Sequence, residues 1–339
     1  MKSVLTTCVP RPDLVAGTFN PEVFTASLSQ VIAHYRGKRS QLASVYTDPK
    51  QFFGEATFPT DGMRQLLHEV FARLNGDGTV PAIHRLETAF GGGKTHSLIA
   101  ATHIAHHGTA IAEIVAPLVK AAVLPKPGEV AIIGIAGDEI PVVKPQGTDL
   151  TPYTLWGEIA FQIGGSKLYE SVATEASSHA APSRNFLDRI LGGRKAIIML
   201  DELAQYATRL EAARPDGAAQ LAAFLMSLHG YARTSPGVSI LFTLASSDDA
   251  FSKQTKQLAK LIGAVKGEAV SEDSALHLAI RADRDVRSVV SRDSVTVVPV
   301  QAAIRIVAQR TPARARPPRI VDPISTARGP RVAGPQARS

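Results

Sequence analysis

A run of glycines followed by a lysine and a threonine is the part of this sequence best suited to chemistry. Gly91, Gly92 and Gly93 precede Lys94 and Thr95, with an apolar stretch before them and a helical pattern after them. Strand, glycine loop, Lys-Thr and helix is the order of a phosphate-binding loop. Glycines let backbone N–H groups approach phosphate oxygens, and the N-terminus of the following helix attracts the same anion. We therefore expect a nucleotide phosphate site here.

Two side chains of this segment have predicted roles of their own. We expect Lys94 to contact the β- and γ-phosphates and to assist catalysis, and Thr95 to hold Mg²⁺ through its hydroxyl. The usual spacing, G-x-x-x-x-G-K-[ST], has a glycine where this chain has Thr88. The alternative is therefore a glycine-rich turn that happens to precede Lys-Thr.

A pair of acids, Asp201 and Glu202, follows five apolar residues at 196–200. This pattern predicts a strand buried on both faces, with the acids at its C-terminal end, where open α/β sheets bind ligands. Asp201 is placed to hold the Mg²⁺ shell, and Glu202 to polarise the attacking water as general base. The alternative is a helix N-terminus, where acids are common. Together with the glycine loop, the pair favours a nucleotide site.

A third polar position is predicted at the end of the apolar strand 238–245. In many P-loop ATPases a polar residue at the tip of the strand beside the Asp-Glu strand senses the γ-phosphate. Thr243 and Ser246 both suit this role, and Ser246 is favoured by its place at the strand end. The alternative is a helix cap, for which serine is common. No Asn-Lys-x-Asp segment for guanine recognition occurs, so we expect ATP as the nucleotide.

Four histidines follow the glycine loop and could suggest a metal site: His96, His103, His106 and His107. His103 and His107 are one helical turn apart, which is the spacing of a zinc pair. The glutamate that accompanies such a pair is missing from the required position. We favour solvent-facing or packing histidines at these positions.

The net charge of +7 gives little reason to expect a nucleic-acid surface. Six arginines and one aspartate lie in residues 311–339, so that segment carries +5 and the rest of the chain only +2. The single cysteine, Cys8, excludes an internal disulfide and a cysteine metal cage. No apolar run reaches the length of a membrane span, and the N-terminus lacks the apolar core of a signal peptide. We expect a cytoplasmic protein without a membrane partner.

Strand and helix patterns alternate between residues 81 and 300, which predicts a parallel sheet flanked by helices. One of these helices is predicted to open at Thr151-Pro152 and to close at Gly164-Gly165. Residues 1–80 predict an N-terminal helical segment, with amphipathic helices beginning near Pro21 and after Thr60. Residues 301–339 are rich in proline and arginine and predict a disordered tail. The predicted fold class is therefore α/β, a P-loop NTPase with a parallel sheet flanked by helices and with these two additions.

Several segments of the chain together resemble a family of large prokaryotic predicted AAA-type ATPases. That family is formally a domain of unknown function, often encoded beside DNA methyltransferases in anti-phage loci. The motif Thr-Ala-Phe-Gly-Gly-Gly-Lys-Thr-His is the most specific segment. Thr88, in place of the usual glycine, agrees with the motif of this family. The resemblance implies that Phe90 and His96, within this motif, also belong to the nucleotide site. The segments that carry the resemblance are residues 12–17, 52–54, 85–96, 154–158 and 243–247.

The resemblance implies an AAA-like form of the P-loop fold. It also implies ATP binding and Mg²⁺-dependent hydrolysis by a motor or switch in a larger assembly, within a defence or DNA-modification system. The partner it implies is a DNA methyltransferase or another defence-system protein. It leaves direct DNA binding and homo-oligomer formation open. The alternative, from another class of protein, is a nucleotide-binding scaffold without turnover.

The C-terminal segment suggests an interruption of the family sequence. Members of the family are longer, and from about Ile304 this chain becomes the Ala, Arg, Pro and Gly mixture that a reading-frame shift in a GC-rich gene produces. We expect a truncated N-terminal fragment with an unrelated C-terminus. Such a fragment would bind ATP weakly and hydrolyse it little.

Overall fold

The structure is a computed structural model of the 339-residue chain. It describes residues 16–17, 26–38, 42–88, 93–147, 150–245 and 269–270. The chain divides into two units, Met1–Pro299 and Val300–Ser339, and all described residues belong to the first. The predicted tail, Ser246 and the loop residues 89–92 lie outside the described residues.

A parallel sheet forms the centre of the first unit, as the alternation of strand and helix patterns predicted. Its strand order is β2-β3-β4-β1-β5, and every adjacent pair is parallel. The two-residue fifth strand was not predicted. The strands are β1 (Ile83–Thr88), β2 (Ala131–Ala136), β3 (Ala196–Asp201), β4 (Val238–Ala245) and β5 (Ala269–Val270).

Helices connect the strands and flank the sheet. In the described parts of the chain, none of them combines the length and apolar character that a bilayer crossing requires. Shorter turns complete the connections: a π-helix at Phe52–Ala56 and 3₁₀ turns at Gly108–Ile111 and Ala121–Val123. The α-helices are α1 (Leu28–Tyr35), α2 (Ser44–Thr47), α3 (Pro49–Gln51), α4 (Asp61–Leu74), α5 (Lys94–His107), α6 (Ala112–Val115), α7 (Leu155–Ser171), α8 (Ala173–Ala176), α9 (Arg184–Leu191), α10 (Leu203–Ala213) and α11 (Gly217–Thr234).

Helices α1 and α4 of the N-terminal segment begin where a side chain caps them. Thr60 caps α4 by accepting a hydrogen bond from the Met63 N–H, as the sequence predicted. The helix expected to run from Pro21 differs, because α1 begins only after Ser27, whose side chain accepts from the Gln30 N–H. Residues 26 and 27 are not helical, and residues 18–25 lie outside the described part.

The helical backbone of α7 is interrupted at Gly164 and Gly165, where the sequence predicted the end of this helix. Thr154 caps its start by accepting from the Gly157 N–H. Gly164 and Gly165 have non-helical backbone angles, with φ of +65° at Gly165, and kink the helix. A second helical stretch follows the kink, and Leu168 and Tyr169 of this stretch pack against the core.

Two apolar clusters lie on opposite faces of the sheet. Ile198 and Leu200 of β3 belong to the cluster formed with α7, α9, α10 and α11. Ile197 and Met199 belong to the other cluster, formed with α1, α4 and α5. Because side chains alternate along a strand, β3 is buried on both faces. The strand burial predicted from the apolar run before Asp201 is confirmed.

Strand β2 is the last strand on its side of the described sheet, and a glutamine covers its outer edge. The Gly134 N–H donates to Oε1 of Gln162, and Nε2 of Gln162 donates to the Gly134 carbonyl, both over 2.9 Å. The side-chain amide thus forms the pair of bonds that a neighbouring strand would form. The side-chain amide of Gln162 also donates to the Glu158 carboxylate, and the backbone carbonyl of Gln162 accepts from Arg36.

Candidate functional site

The C-terminal ends of β1, β3 and β4 lie at one edge of the sheet. The three strands are adjacent and parallel, and β4 pairs with both of the others. The residues predicted to bind nucleotide and metal follow or end these strands. The fold therefore brings the Gly-Lys-Thr segment and the Asp-Glu pair together, although 106 positions separate Thr95 from Asp201.

Helix α5 begins at Lys94, directly after the glycine loop. Its N-cap, Gly93, has φ of +75°, a left-handed conformation that glycine adopts without strain. The Ser97 N–H bonds to the Gly93 carbonyl over 2.9 Å, which starts the helical ladder. The N-terminal N–H groups and the dipole of α5 favour an anion at this end. Phe90, Gly91 and Gly92 lie outside the described residues.

Asp201 is the most buried acid of the candidate site, with 5% exposure. Its Oδ2 accepts a hydrogen bond from the Thr95 hydroxyl over 2.8 Å, and its Oδ1 accepts one from the Thr243 hydroxyl. Burial raises the pKa of Asp201, while these two hydrogen bonds and the charge of Lys94 favour the ionised form. Since both carboxylate oxygens accept a proton donor, the arrangement fits an ionised group.

Glu202 has an unusual backbone conformation. In the described parts of the chain it is the one residue other than glycine with positive φ, at 54°. Its N–H donates to the Thr243 hydroxyl over 3.0 Å, and its carboxylate accepts from the side-chain amide of Gln205. A left-handed turn thus separates β3 from α10 and sets the direction of the Glu202 side chain.

The end of β2 supports this turn through contacts that the sequence did not reveal. The Gly137 N–H donates to the Asp201 carbonyl over 2.8 Å. A Cβ added to Gly137 would lie 2.4 Å from the Glu202 carbonyl oxygen, which is far inside contact distance. Arg209 of α10 donates to the carbonyls of Gly137, Asp138 and Ile140 over 2.6 to 3.0 Å. Gly137 and Arg209 therefore fix the Glu202 turn from the β2 side.

We expect Gly137→Ala to destabilise the fold by about 1–3 kcal/mol, because the added methyl group must displace the backbone at Glu202. Gly230→Ala is the matched control, since an added Cβ there meets nothing within 4 Å. Gly230 lies within α11, so alanine should stabilise by about 0.5–1 kcal/mol. Urea unfolding measures both changes. Equal effects of the two substitutions would contradict the close approach at Gly137.

His96 contacts the N-terminal segment of the chain. Its imidazole stacks on the Phe52 ring, with centroids 4.4 Å apart. Its Nε2 lies 2.9 Å from the Thr57 hydroxyl, which donates its own proton to the Phe52 carbonyl over 2.7 Å. Thr57 must then accept from His96, so the proton of this imidazole lies on Nε2. The residue after Thr95 is thereby joined to the π-helix, a type of turn that is frequent near functional sites.

The histidines at the other end of α5 surround Tyr35. The Tyr35 hydroxyl is hydrogen-bonded to Nδ1 of His103 over 2.5 Å and to Nε2 of His107 over 3.0 Å. Within the residues that the structure describes, no group of three or more His, Cys, Asp or Glu side chains could hold a metal ion. His103 is fully buried, so it is a packing residue.

Two buried histidines should make stability depend on pH. Burial lowers the pKa of His84 to about 4 and that of His103 to about 3, from 6.5. Both are neutral in the fold, whereas the unfolded chain takes up protons as the pH falls below 6.5. Stability should therefore decrease from about pH 6.5 downwards, by roughly 2 kcal/mol for each histidine at pH 5.

Urea unfolding at pH 7.5 and pH 5.0 measures this loss. His84→Gln removes one of the two groups, so the difference in stability between the two pH values should shrink by roughly 2 kcal/mol. An unchanged difference would show that His84 does not titrate in this range.

The comparisons with known proteins identify a family. Residues 19–260 match the family model of the DUF499 N-terminal domain. This match covers more than half of the 339 residues, so the chain belongs to that family. The resemblance drawn from the sequence motifs is thereby confirmed. No curated protein and no solved structure matches the chain.

Proposed function

We propose that this member of the DUF499 family binds ATP with Mg²⁺ and hydrolyses it, within a P-loop fold. The observation that carries the proposal is the hydrogen bond of 2.8 Å between the Thr95 hydroxyl and the Asp201 carboxylate. These two residues come from the two motifs in which a nucleotide hydrolase holds its metal. Their contact supports the proposed fold, because the glycine-loop helix and the Asp-Glu strand meet where that fold requires.

The phosphate groups of ATP would lie at the N-terminus of α5. The first backbone N–H groups of a helix point out of its N-terminus and can donate to an anion there, and the N-cap Gly93 has a left-handed conformation. Burial raises the pKa of the Asp201 carboxyl group, and the nearby positive charge of Lys94 opposes this rise. In the proposed complex this charge contacts the β- and γ-phosphates.

Thr95 and Asp201 would hold Mg²⁺. Hydroxyl and carboxylate oxygens are the ligand types that this cation prefers, so the donor set fits. The Thr95 hydroxyl would still donate a hydrogen bond to Asp201, and a lone pair of the hydroxyl oxygen would remain for the cation. When bound, Mg²⁺ would neutralise the negative charge that develops on the phosphate groups during transfer.

Glu202 would act as the general base. Its carboxylate would accept a proton from water as the water oxygen forms a bond to the γ-phosphorus. The bond from that phosphorus to the bridging oxygen then breaks, which releases ADP and phosphate. In the described conformation the Glu202 carboxylate accepts from Gln205. Exchange of this partner for water would be part of reaching the active state.

The larger role is proposed from the family resemblance. Hydrolysis would drive a motor or switch within a defence or DNA-modification system, with a DNA methyltransferase or another defence protein as partner. Contact between His96 and the π-helix offers a physical route, because a change at Thr95 would reach the N-terminal segment through adjacent residues.

Two measurements on the parent chain test the proposal. Calorimetric titration should detect ATP binding that strengthens with Mg²⁺, and a phosphate-release assay should detect turnover. GTP should bind more weakly, because the sequence has no segment for guanine recognition. Binding without phosphate release would favour the nucleotide-binding scaffold instead. Absence of binding in both conditions would overturn the nucleotide site.

A further inference from the structure

Thr243 is a polar residue in the most apolar part of β4. It is 1% exposed, and its neighbours Phe242 and Leu244 are equally buried. A buried hydroxyl raises the free energy of the fold unless hydrogen bonds replace those it made to water. The partners of this hydroxyl therefore indicate its role.

The hydroxyl contacts two consecutive residues at the end of β3. It donates its proton to Oδ1 of Asp201 and accepts the Glu202 N–H over 3.0 Å. The first bond fixes the orientation of the Asp201 carboxylate, whose other oxygen faces Thr95. The second bond fixes the peptide group that leads into Glu202. One side chain on the strand between β1 and β3 thus holds both acids.

The backbone at Glu202 gives the second bond particular importance. A residue with a side chain at φ of 54° is strained and persists only where its surroundings hold it. Thr243 holds the N–H of this residue, and Gly137 lies against its carbonyl. Without the Thr243 bond, the turn could relax and the carboxylate of Glu202 would change direction.

We propose that Thr243 is a positioning residue, which orients Asp201 for Mg²⁺ and Glu202 for activation of water without contacting the nucleotide. The inference rests on the proposed function and deepens it. It also distinguishes between Thr243 and Ser246, the two residues predicted as candidates for sensing the γ-phosphate. A hydroxyl has one proton to donate, and that of Thr243 lies on Asp201. Ser246, which lies outside the described residues, therefore remains the predicted γ-phosphate sensor.

Thr243→Val removes the hydroxyl and keeps the side-chain shape, while Thr243→Ser keeps the hydroxyl. The measurements are kcat and KM for ATP, the Mg²⁺ concentration at half-maximal activity, and ATP affinity in EDTA. We expect the valine variant to lose roughly 10- to 100-fold in kcat and to need several-fold more Mg²⁺. Its ATP affinity in EDTA should stay within about threefold of the parent, because Lys94 and the helix N-terminus remain. The serine variant should resemble the parent.

Ser239→Ala is the matched control on the same strand. Ser239 is fully buried, and its hydroxyl has no hydrogen-bond partner among the described residues. Removing it should leave kcat and the Mg²⁺ requirement unchanged. A melting temperature for each variant shows whether it is folded under assay conditions.

The outcomes separate the two proposals. A valine variant with the kcat and Mg²⁺ requirement of the parent overturns the role of Thr243 and leaves the proposed function standing. Equal losses in the valine and serine variants, with an unchanged Mg²⁺ requirement, also overturn it, since packing alone would explain them. If the parent binds ATP without turnover, a valine variant that keeps the Mg²⁺-dependent gain in affinity overturns it. A parent that binds no ATP overturns both proposals.

Discussion

Lys94→Ala is expected to weaken ATP binding roughly 100-fold, a loss of about 3 kcal/mol. Lys94 is the first residue of α5 and follows the left-handed Gly93. Its charge favours ionised Asp201, so the ammonium group belongs to the same electrostatic site. Removing it takes away the cation that would meet the β- and γ-phosphates, while the backbone of the loop remains. Titration calorimetry with ATP, with and without Mg²⁺, measures the loss.

Lys167→Ala is the control for this substitution. Lys167 is exposed and lies beyond the kink of α7, so its removal changes the net charge by the same amount away from the site. Its ATP affinity should remain within about twofold of the parent, because exposed charges act weakly over distance. If Lys94→Ala binds ATP as well as the parent does, the phosphate site has been placed wrongly.

Glu202→Gln should lower kcat by roughly 10²- to 10⁴-fold and leave ATP affinity within a few-fold of the parent. Glutamine has nearly the same shape as glutamate, and its backbone N–H can still donate to Thr243. The substitution therefore keeps the turn and removes only the group that accepts the proton from water. Phosphate release under saturating ATP and Mg²⁺ measures kcat, and calorimetric titration measures the affinity.

Glu170→Gln on the exposed side of α7 controls for the loss of one negative charge. It should turn over at the rate of the parent. If Glu202→Gln releases phosphate at the parent rate, another group accepts the proton and the proposed role of Glu202 is wrong. If neither the parent nor any variant releases phosphate while ATP is bound, the scaffold alternative is favoured over the hydrolase.

The sequence predicted β2, β3 and β4 well, because each of these strands is a mainly apolar run with a clear end. β4 has the predicted bounds, and β3 ends at the predicted acid. Helix ends were harder to predict, since they depend on tertiary contacts. Local signals favoured a start at Pro21, but Ser27 supplies the cap of α1. The predicted end at Gly164 and Gly165 coincides with the interruption of α7, after which a second helical stretch begins. The two residues of β5 contain no pattern from which a strand could be predicted.

The sequence predicted the main contact of the candidate site, between Thr95 and Asp201, but not the contacts that support it. Parallel strands place their C-terminal ends together, so the meeting of Thr95 and Asp201 could be expected from two motifs. The sequence placed Thr243 near the site as a candidate sensor, but it did not reveal the hydrogen bonds of Thr243 to Asp201 and Glu202. It gave no sign of the close approach between Gly137 and Glu202, which lie at the ends of two different strands. The resemblance predicted a nucleotide contact for His96, and that prediction stays untested beside its bonds to the N-terminal segment.

The glutamine at the outer edge of β2 has a consequence for association between chains. An uncovered strand edge offers free N–H and C=O groups to any extended segment, which invites misassembly by edge-to-edge pairing. Gln162 occupies both groups of Gly134, and helix α1 packs so closely that a Cβ on that glycine would lie 2.7 Å from Ile32. At this position the edge offers no free backbone pair for a strand of another molecule. Association with other proteins would then proceed through surfaces other than this part of the β2 edge.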